Sequence, residues 1–279
     1  MRIVDCHVHT FNDVYNDISQ IIDAMDRNGV ERILVLSKNE RRSLQQTRAN
    51  LRKTKKLCDQ APDRLTGLAW LEPTIHGMKK LAREALCDMG FAGIKIIPDH
   101  WYVYEGRLEP WWELMNELEA RILFHTGILY AFEDGSQFCH PVYLEKLLHY
   151  PKIHFAMAHI SWPWCEECLA VMGRMKAAKN PQWQSYIDIT PGTPPHIRKQ
   201  ALFNALNFCG PDRLMFGTDS NMKGFSAKKQ IDADSAIFDE FGLNEAQKER
   251  IFSGTADELF PSPNLSRQAR RERENLTKC

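Results

Sequence analysis

The residues of this chain that could do chemistry are histidines and carboxylates spaced along it, beginning with His7-Val8-His9 near the start. Successive side chains of a strand alternate faces, so His7 and His9 lie side by side on one pleat. Two imidazoles held in that way are half of a metal site, although a His-x-His alone is a weak signal. Further along, Lys95 sits in Gly93-Ile94-Lys95, His125 in Phe124-His125-Thr126-Gly127, His159 in Ala158-His159-Ile160, and Asp219 in Phe216-Gly217-Thr218-Asp219. Imidazole and carboxylate are the ligands that suit zinc, with manganese, iron or cobalt as alternatives. A catalytic site keeps one coordination position for water, whose pKa then falls toward about 7. Asp219 could both touch the metal and take the proton from that water. Any one of these histidines alone also reads as a hydrogen-bonded core group; agreement among several strand ends is what favours the chemistry.

The elements that must position these residues follow from periodicity. The opening segment 3–10 is a short apolar strand, and apolar runs at 32–37, 65–71, 91–97, 121–125, 153–159, 184–190 and 213–219 read as further strands. Between them, helical spacing predicts helices over 18–28, around Leu44, Leu51 and Leu57, and over 78–89, 111–120, 142–149, 166–178 and 196–208, with a last helical region over 234–260. Regular alternation of strand and helix implies parallel strands joined by right-handed crossovers, and eight such units close a (β/α)8 TIM barrel. In that architecture the site lies at the C-terminal ends of the strands. The first strand then delivers His7 and His9, the fourth Lys95, the fifth His125, the sixth His159 and the eighth Asp219.

Composition limits the partners. The chain of 279 residues suits one barrel domain over 1–260, and Lys plus Arg equals Asp plus Glu at 36 each. That balance argues against nucleic acid or a membrane surface as the main partner. No leader is evident before the first strand and no long apolar run follows, so a cytoplasmic location is expected. Eight scattered cysteines fit reduced thiols. Cys165 and Cys168 read as the first turn of a helix before they read as a zinc or redox pair. Residues 261–279 form a charged tail with few apolar side chains.

His7-Val8-His9, Gly93-Ile94-Lys95, Phe124-His125-Thr126-Gly127, Ala158-His159-Ile160-Ser161-Trp162-Pro163-Trp164, Tyr186-Ile187-Asp188-Ile189 and Phe216-Gly217-Thr218-Asp219 occur in an order that resembles the amidohydrolase superfamily. The likeness is to its amidohydrolase-2 branch, with its lactone hydrolases and nonoxidative decarboxylases related to aminocarboxymuconate semialdehyde decarboxylase. The resemblance spans residues 1–260 and implies that His7, His9, His125 and Asp219 hold one divalent metal, zinc foremost. His159 is implied to be either a ligand or the group that polarises substrate and shuttles a proton. Lys95 is implied either to face substrate or, carboxylated, to bridge a second metal. Ile160-Ser161 and Gly254-Thr255-Ala256 depart from the usual Leu-Gly and Gly-Asn-Ala. The opening also resembles the polymerase and histidinol phosphatase phosphoesterases, but Asp219-Ser220-Asn221 lacks the Asp-x-His that closes that pattern.

Around the mouth, Arg41 in Lys38-Asn39-Glu40-Arg41-Arg42 and Lys223 would suit a carboxylate substrate. Trp101, Trp162 and Trp164 could wall a planar ring or pack the loops. The expected activity is a metal-dependent hydrolase acting on a lactone, ester or amide of a small carboxylate-bearing molecule. A nonoxidative decarboxylase and a metal-free scaffold barrel are the alternatives. A small-molecule substrate is the expected partner, and a homo-oligomer is compatible with the sequence.

Overall fold

The computed structural model describes residues 1–10, 17–39, 43–130, 134–178 and 183–262. Nine parallel strands form one sheet: β1 Val4–His9, β2 Arg32–Leu36, β3 Leu65–Trp70, β4 Gly93–Ile96, β5 Arg121–Phe124, β6 His154–Met157, β7 Ser185–Asp188, β8 Leu214–Met215 and β9 Ser220–Asn221. Their order is β8-β7-β6-β5-β4-β3-β2-β1-β9. The expected eighth strand over 213–219 is therefore two short pieces. β8 pairs with β7 through Ile187 and Leu214, and β9 pairs with β1 through Val8 and Ser220. Between them the Cys6 N–H donates to the Phe216 carbonyl at 3.0 Å, so the two edges meet and the sheet closes into a barrel. The break has a local cause. Buried Asp5 accepts from the Thr218 N–H at 3.0 Å and from its hydroxyl at 2.5 Å, and Asp219 turns into the left-handed region at φ 56.

The connecting helices are α1 Ile18–Asn28, α2 Leu44–Cys58, α3 Met78–Arg83, α4 Glu109–Glu117, α5 Cys165–Ala177, α6 Pro195–Cys209, α7 Lys228–Glu240, α8 Glu245–Glu249 and α9 Thr255–Leu259. Caps fix several ends: Asp17 accepts from Ser19 N, Ser43 from Gln46 N, and α1 stops at left-handed Gly29. Three expectations are corrected. Residues 78–89 divide into α3 and a π turn at Glu84–Asp88, and the helix expected over 142–149 is a 3-10 helix, Pro141–His149. The last helical region starts earlier, at Lys228, and is interrupted, because Asn244 and Gln247 form a capping box that starts a new helix. Cys165 and Cys168 do lie in the first turn of α5, buried and unbridged. The tail from 263 onward lies outside the described residues.

Two apolar layers hold the barrel. Ile33, Val35, Ile94, Ile96 and Phe124 point outward and pack under the helices. Val4, Leu34, Leu68, Leu123 and Met215 point inward, where Ala256, Leu259 and Phe260 at the end of α9 close the N-terminal mouth beneath them. Along β1, Val4 and Cys6 belong to the inner layer and Val8 to the outer one. The pairing register with β2 shifts between Asp5 and Val8, a bulge that re-aims the following side chains. Through it both His7 and His9 face the C-terminal mouth.

Candidate metal and active site

At the C-terminal mouth three donor atoms from two segments converge. His7 Nε2 and His9 Nε2 are 3.2 Å apart, and Asp219 Oδ1 lies 3.3 Å from the first and 3.1 Å from the second. A divalent ion bound at about 2.0–2.2 Å separates neighbouring ligand atoms by roughly 3.0–3.5 Å, so the triangle fits one ion. His7 Nδ1 is engaged with Asp188 Oδ2 at 2.6 Å, which leaves Nε2 as the donor toward the triangle. Gly217 makes room for this packing, since a Cβ there would stand 2.6 Å from Thr190 Cγ2 and 3.2 Å from His7 Cβ.

Electrostatics favour neutral His7, His125 and His159 rings beside the Asp219 anion. Burial, reinforced by the Lys95 ammonium, pushes His7 well below the ordinary imidazole range, and burial next to His159 does the same to His125. Burial lowers His159 too, against the pull of Asp219 and Asp188. For Asp219 burial acts upward, but His7, the hydrogen bond from His9, and His159 together hold the carboxyl well below the usual carboxylate range. Asp219 keeps 37% of its side chain open to the mouth. Lys95 is wholly buried, with Nζ 3.5 Å from His7 Nε2; burial brings it down to about 8 although Asp188 and Asp219 pull the other way.

Not every expected residue joins the triangle. His125 stands apart: its Nε2 faces the Ile128 carbonyl at 3.2 Å, and its ring centroid lies 5.0 Å from that of His159. His159 borders the triangle, its ring 5.3 Å from the His7 ring. Its backbone, with Ile160 and Ser161, runs left-handed at φ 62, 49 and 57, a strained path of the kind that collects at functional sites. Trp101, read as a ring wall or as loop packing, has its side chain fully buried in the outer apolar layer. Trp162 is half-buried against the same layer, and its carbonyl accepts from Ile128 N–H at 2.8 Å. Arg41 lies outside the described residues.

Sequence reasoning gave no role to several residues at this mouth. Asp188 ends β7 as Asp219 follows β8, and the same strand-end rule applied to β7 points to it. Trp70, at the end of β3, sets its ring edge-on to His9 at 5.9 Å and packs with Ile97, Leu129 and Cys139. Two residues on, buried Glu72 accepts from the Thr74 N–H and hydroxyl at 3.0 and 2.7 Å and lies near Asp99 and His100. Among the described residues, these three and the His7–His9–Asp219 set are the two groups with metal-ligand proximity. No helix among the described residues is long and apolar enough to cross a membrane.

Comparison with known proteins agrees with this architecture. No curated protein matches the chain. Among solved structures, a 5-carboxyvanillate decarboxylase from Novosphingobium aromaticivorans with bound manganese is 14% identical, with a TM-score of 0.70 over 93% of this chain and 97% of that one. A 2,6-dihydroxybenzoate decarboxylase complexed with 2,6-dihydroxybenzoate is 17% identical, with a TM-score of 0.67 over 93% and 98%. A probable 2-pyrone-4,6-dicarboxylic acid hydrolase from Acinetobacter baumannii with citric acid bound is 16% identical, with a TM-score of 0.61 over 93% and 99%. At these identities the likeness is one of fold. The family model described as amidohydrolase, Amidohydro_2, matches residues 4–262, nearly the whole barrel, and this chain belongs to that amidohydrolase family.

Proposed function

We propose that this protein is a metal-dependent hydrolase that acts on a lactone, ester or amide of a small carboxylate-bearing molecule. The observation that carries the reading is the triangle of His7 Nε2, His9 Nε2 and Asp219 Oδ1, with a depressed carboxyl and a His7 imidazole held neutral by burial. When bound there, one divalent ion, zinc foremost with manganese, iron or cobalt as alternatives, supplies Lewis-acid activation of water and of the carbonyl. Asp219, ionised and partly open to the mouth, receives the proton of the attacking water. His159 stands beside the triangle, where it relays that proton to the leaving group. The Lys95 ammonium sits among these groups, 3.5 Å from His7 Nε2, and attracts a substrate carboxylate. His125, whose Nε2 faces the Ile128 carbonyl, would be the further imidazole to complete the ligand set.

Decarboxylation is the second reading. It is favoured by the fold likeness to the 5-carboxyvanillate and 2,6-dihydroxybenzoate decarboxylases and by Lys95, a buried proton source whose pKa of about 8 suits delivery to carbon. The two are separated by product. Protein loaded with zinc or manganese is incubated with 2-pyrone-4,6-dicarboxylate and with 5-carboxyvanillate, and products are read by mass spectrometry. Gain of one water with no loss of carbon dioxide supports hydrolysis; loss of carbon dioxide from either compound overturns it. The small-molecule partner, the cytoplasmic location and a homo-oligomer belong to the same proposal.

A further inference from the structure

Two histidines at the C-terminal mouth are gripped from one side by one short segment, the end of β7 and the turn that follows it. Asp188 is fully buried, and its two oxygens are divided between two donors: Oδ1 accepts the Thr190 N–H at 2.7 Å and Oδ2 faces His7 Nδ1 at 2.6 Å. Three residues on, Pro191 presents its carbonyl to His159 Nδ1 at 3.0 Å, and Thr190 Oγ1 lies 2.8 Å from the same nitrogen. A carbonyl can only accept, so the proton sits on His159 Nδ1. A carboxylate likewise can only accept, so the proton of His7 also sits on Nδ1. Close packing secures the second grip, since a Cβ at Gly192 would stand 2.8 Å from His159 Cβ.

From this geometry we infer that the turn over residues 188–191 sets the tautomers of His7 and His159 together, so that each presents a bare Nε2 to the mouth. The inference deepens the metal-site reading. On His7 the bare nitrogen is a metal donor; on His159 it is a proton acceptor. Asp188 acts through His7 and is a positioning residue. The way its carboxylate is shared makes Asp188→Asn informative. The Thr190 N–H keeps the side-chain carbonyl at the Oδ1 position, which turns the amide NH2 toward His7 Nδ1 and forces the proton of His7 onto Nε2.

The test uses the full-length, metal-free, 15N-labelled protein at pH 8, where burial keeps both rings neutral. Two-bond nitrogen–proton correlation spectra separate the tautomers, and His7→Gln and His159→Gln assign the signals. Both residues are expected to show the Nδ1–H pattern in wild type, and Asp188→Asn is expected to move His7 alone to the Nε2–H pattern. Zinc affinity, measured by competition with a chelator, should fall about 10–100-fold in that variant, with an unchanged circular dichroism spectrum. An Nε2–H pattern for either histidine in wild type overturns the inference. So does an Asp188→Asn protein whose His7 signal and zinc affinity match wild type. If wild type binds no zinc, the metal reading fails, and the tautomer spectra still decide this inference by themselves.

Discussion

The two mouths of this barrel are built from opposite materials. At the N-terminal mouth, Phe260, Leu259 and Ala256 fill the opening, and the buried cation Arg32 is compensated: it donates to Asp257 at 2.6 Å, to Thr66 Oγ1 at 2.9 Å and to the Phe260 carbonyl at 3.0 Å. At the C-terminal mouth, imidazoles, carboxylates and Lys95 crowd within a few ångströms, and His159 and Asp219 hold left-handed backbone that costs on the order of 1–3 kcal/mol at each residue. The first mouth is arranged so that nothing need be added. The second gathers His7, His9 and Asp219 donors within the spacing that suits one divalent cation. Stability and chemistry are thus separated along the barrel axis, as expected when conservation of shape belongs to one end of the strands and reactive loops to the other.

If that division holds, damage at the N-terminal mouth should lower stability without touching metal binding. Phe260→Ala removes a fully buried ring and should cost about 3–5 kcal/mol in chemical unfolding while the bound-metal count stays at the wild-type value. A loss of metal in the folded variant would break the separation. The opposite mouth should respond to ligand: zinc at 100 times its Kd should add about 2.7 kcal/mol to wild type and nothing measurable to Asp219→Asn. Equal gains in both would mean that Asp219 is not a ligand. Asp257→Ala leaves the Arg32 guanidinium buried without its carboxylate and should cost about 2 kcal/mol, at the mild end for such pairs because Asp257 is partly exposed. The smallest effect expected is that of Asp219→Asn on the metal-free protein, a loss of about 1 kcal/mol near neutral pH, because asparagine tolerates the left-handed region but gives up the attraction that depresses the half-open carboxyl. A large destabilisation there would make Asp219 a structural residue.

Much of the barrel and half of the site could be read from the sequence. Strand and helix alternated strongly enough in apolar content to mark each unit, and His7, His9 and Asp219 were exposed by the rule that strand ends carry the chemistry. What escaped depended on three-dimensional neighbours. The split of the last strand depends on Asp5 reaching Thr218 across the sheet, a pairing with no local signature. Trp101 looked like a rim aromatic because of its loop position, whereas packing drew it into the layer under the helices. Asp188 was visible as a strand end, but its function follows only from the 2.6 Å contact with His7 on the far side of the closure. The His125 ring direction is set by the Ile128 carbonyl, three residues on, which no residue pattern announces.

The central claim is that His7, His9 and Asp219 form one cation site, and metal content per chain tests it most directly. The protein is loaded with zinc, desalted, and measured by plasma mass spectrometry beside His7→Ala/His9→Ala. About one ion per chain in wild type and none in the double variant is the predicted result. No ion in wild type, or one retained in the double variant, would contradict it.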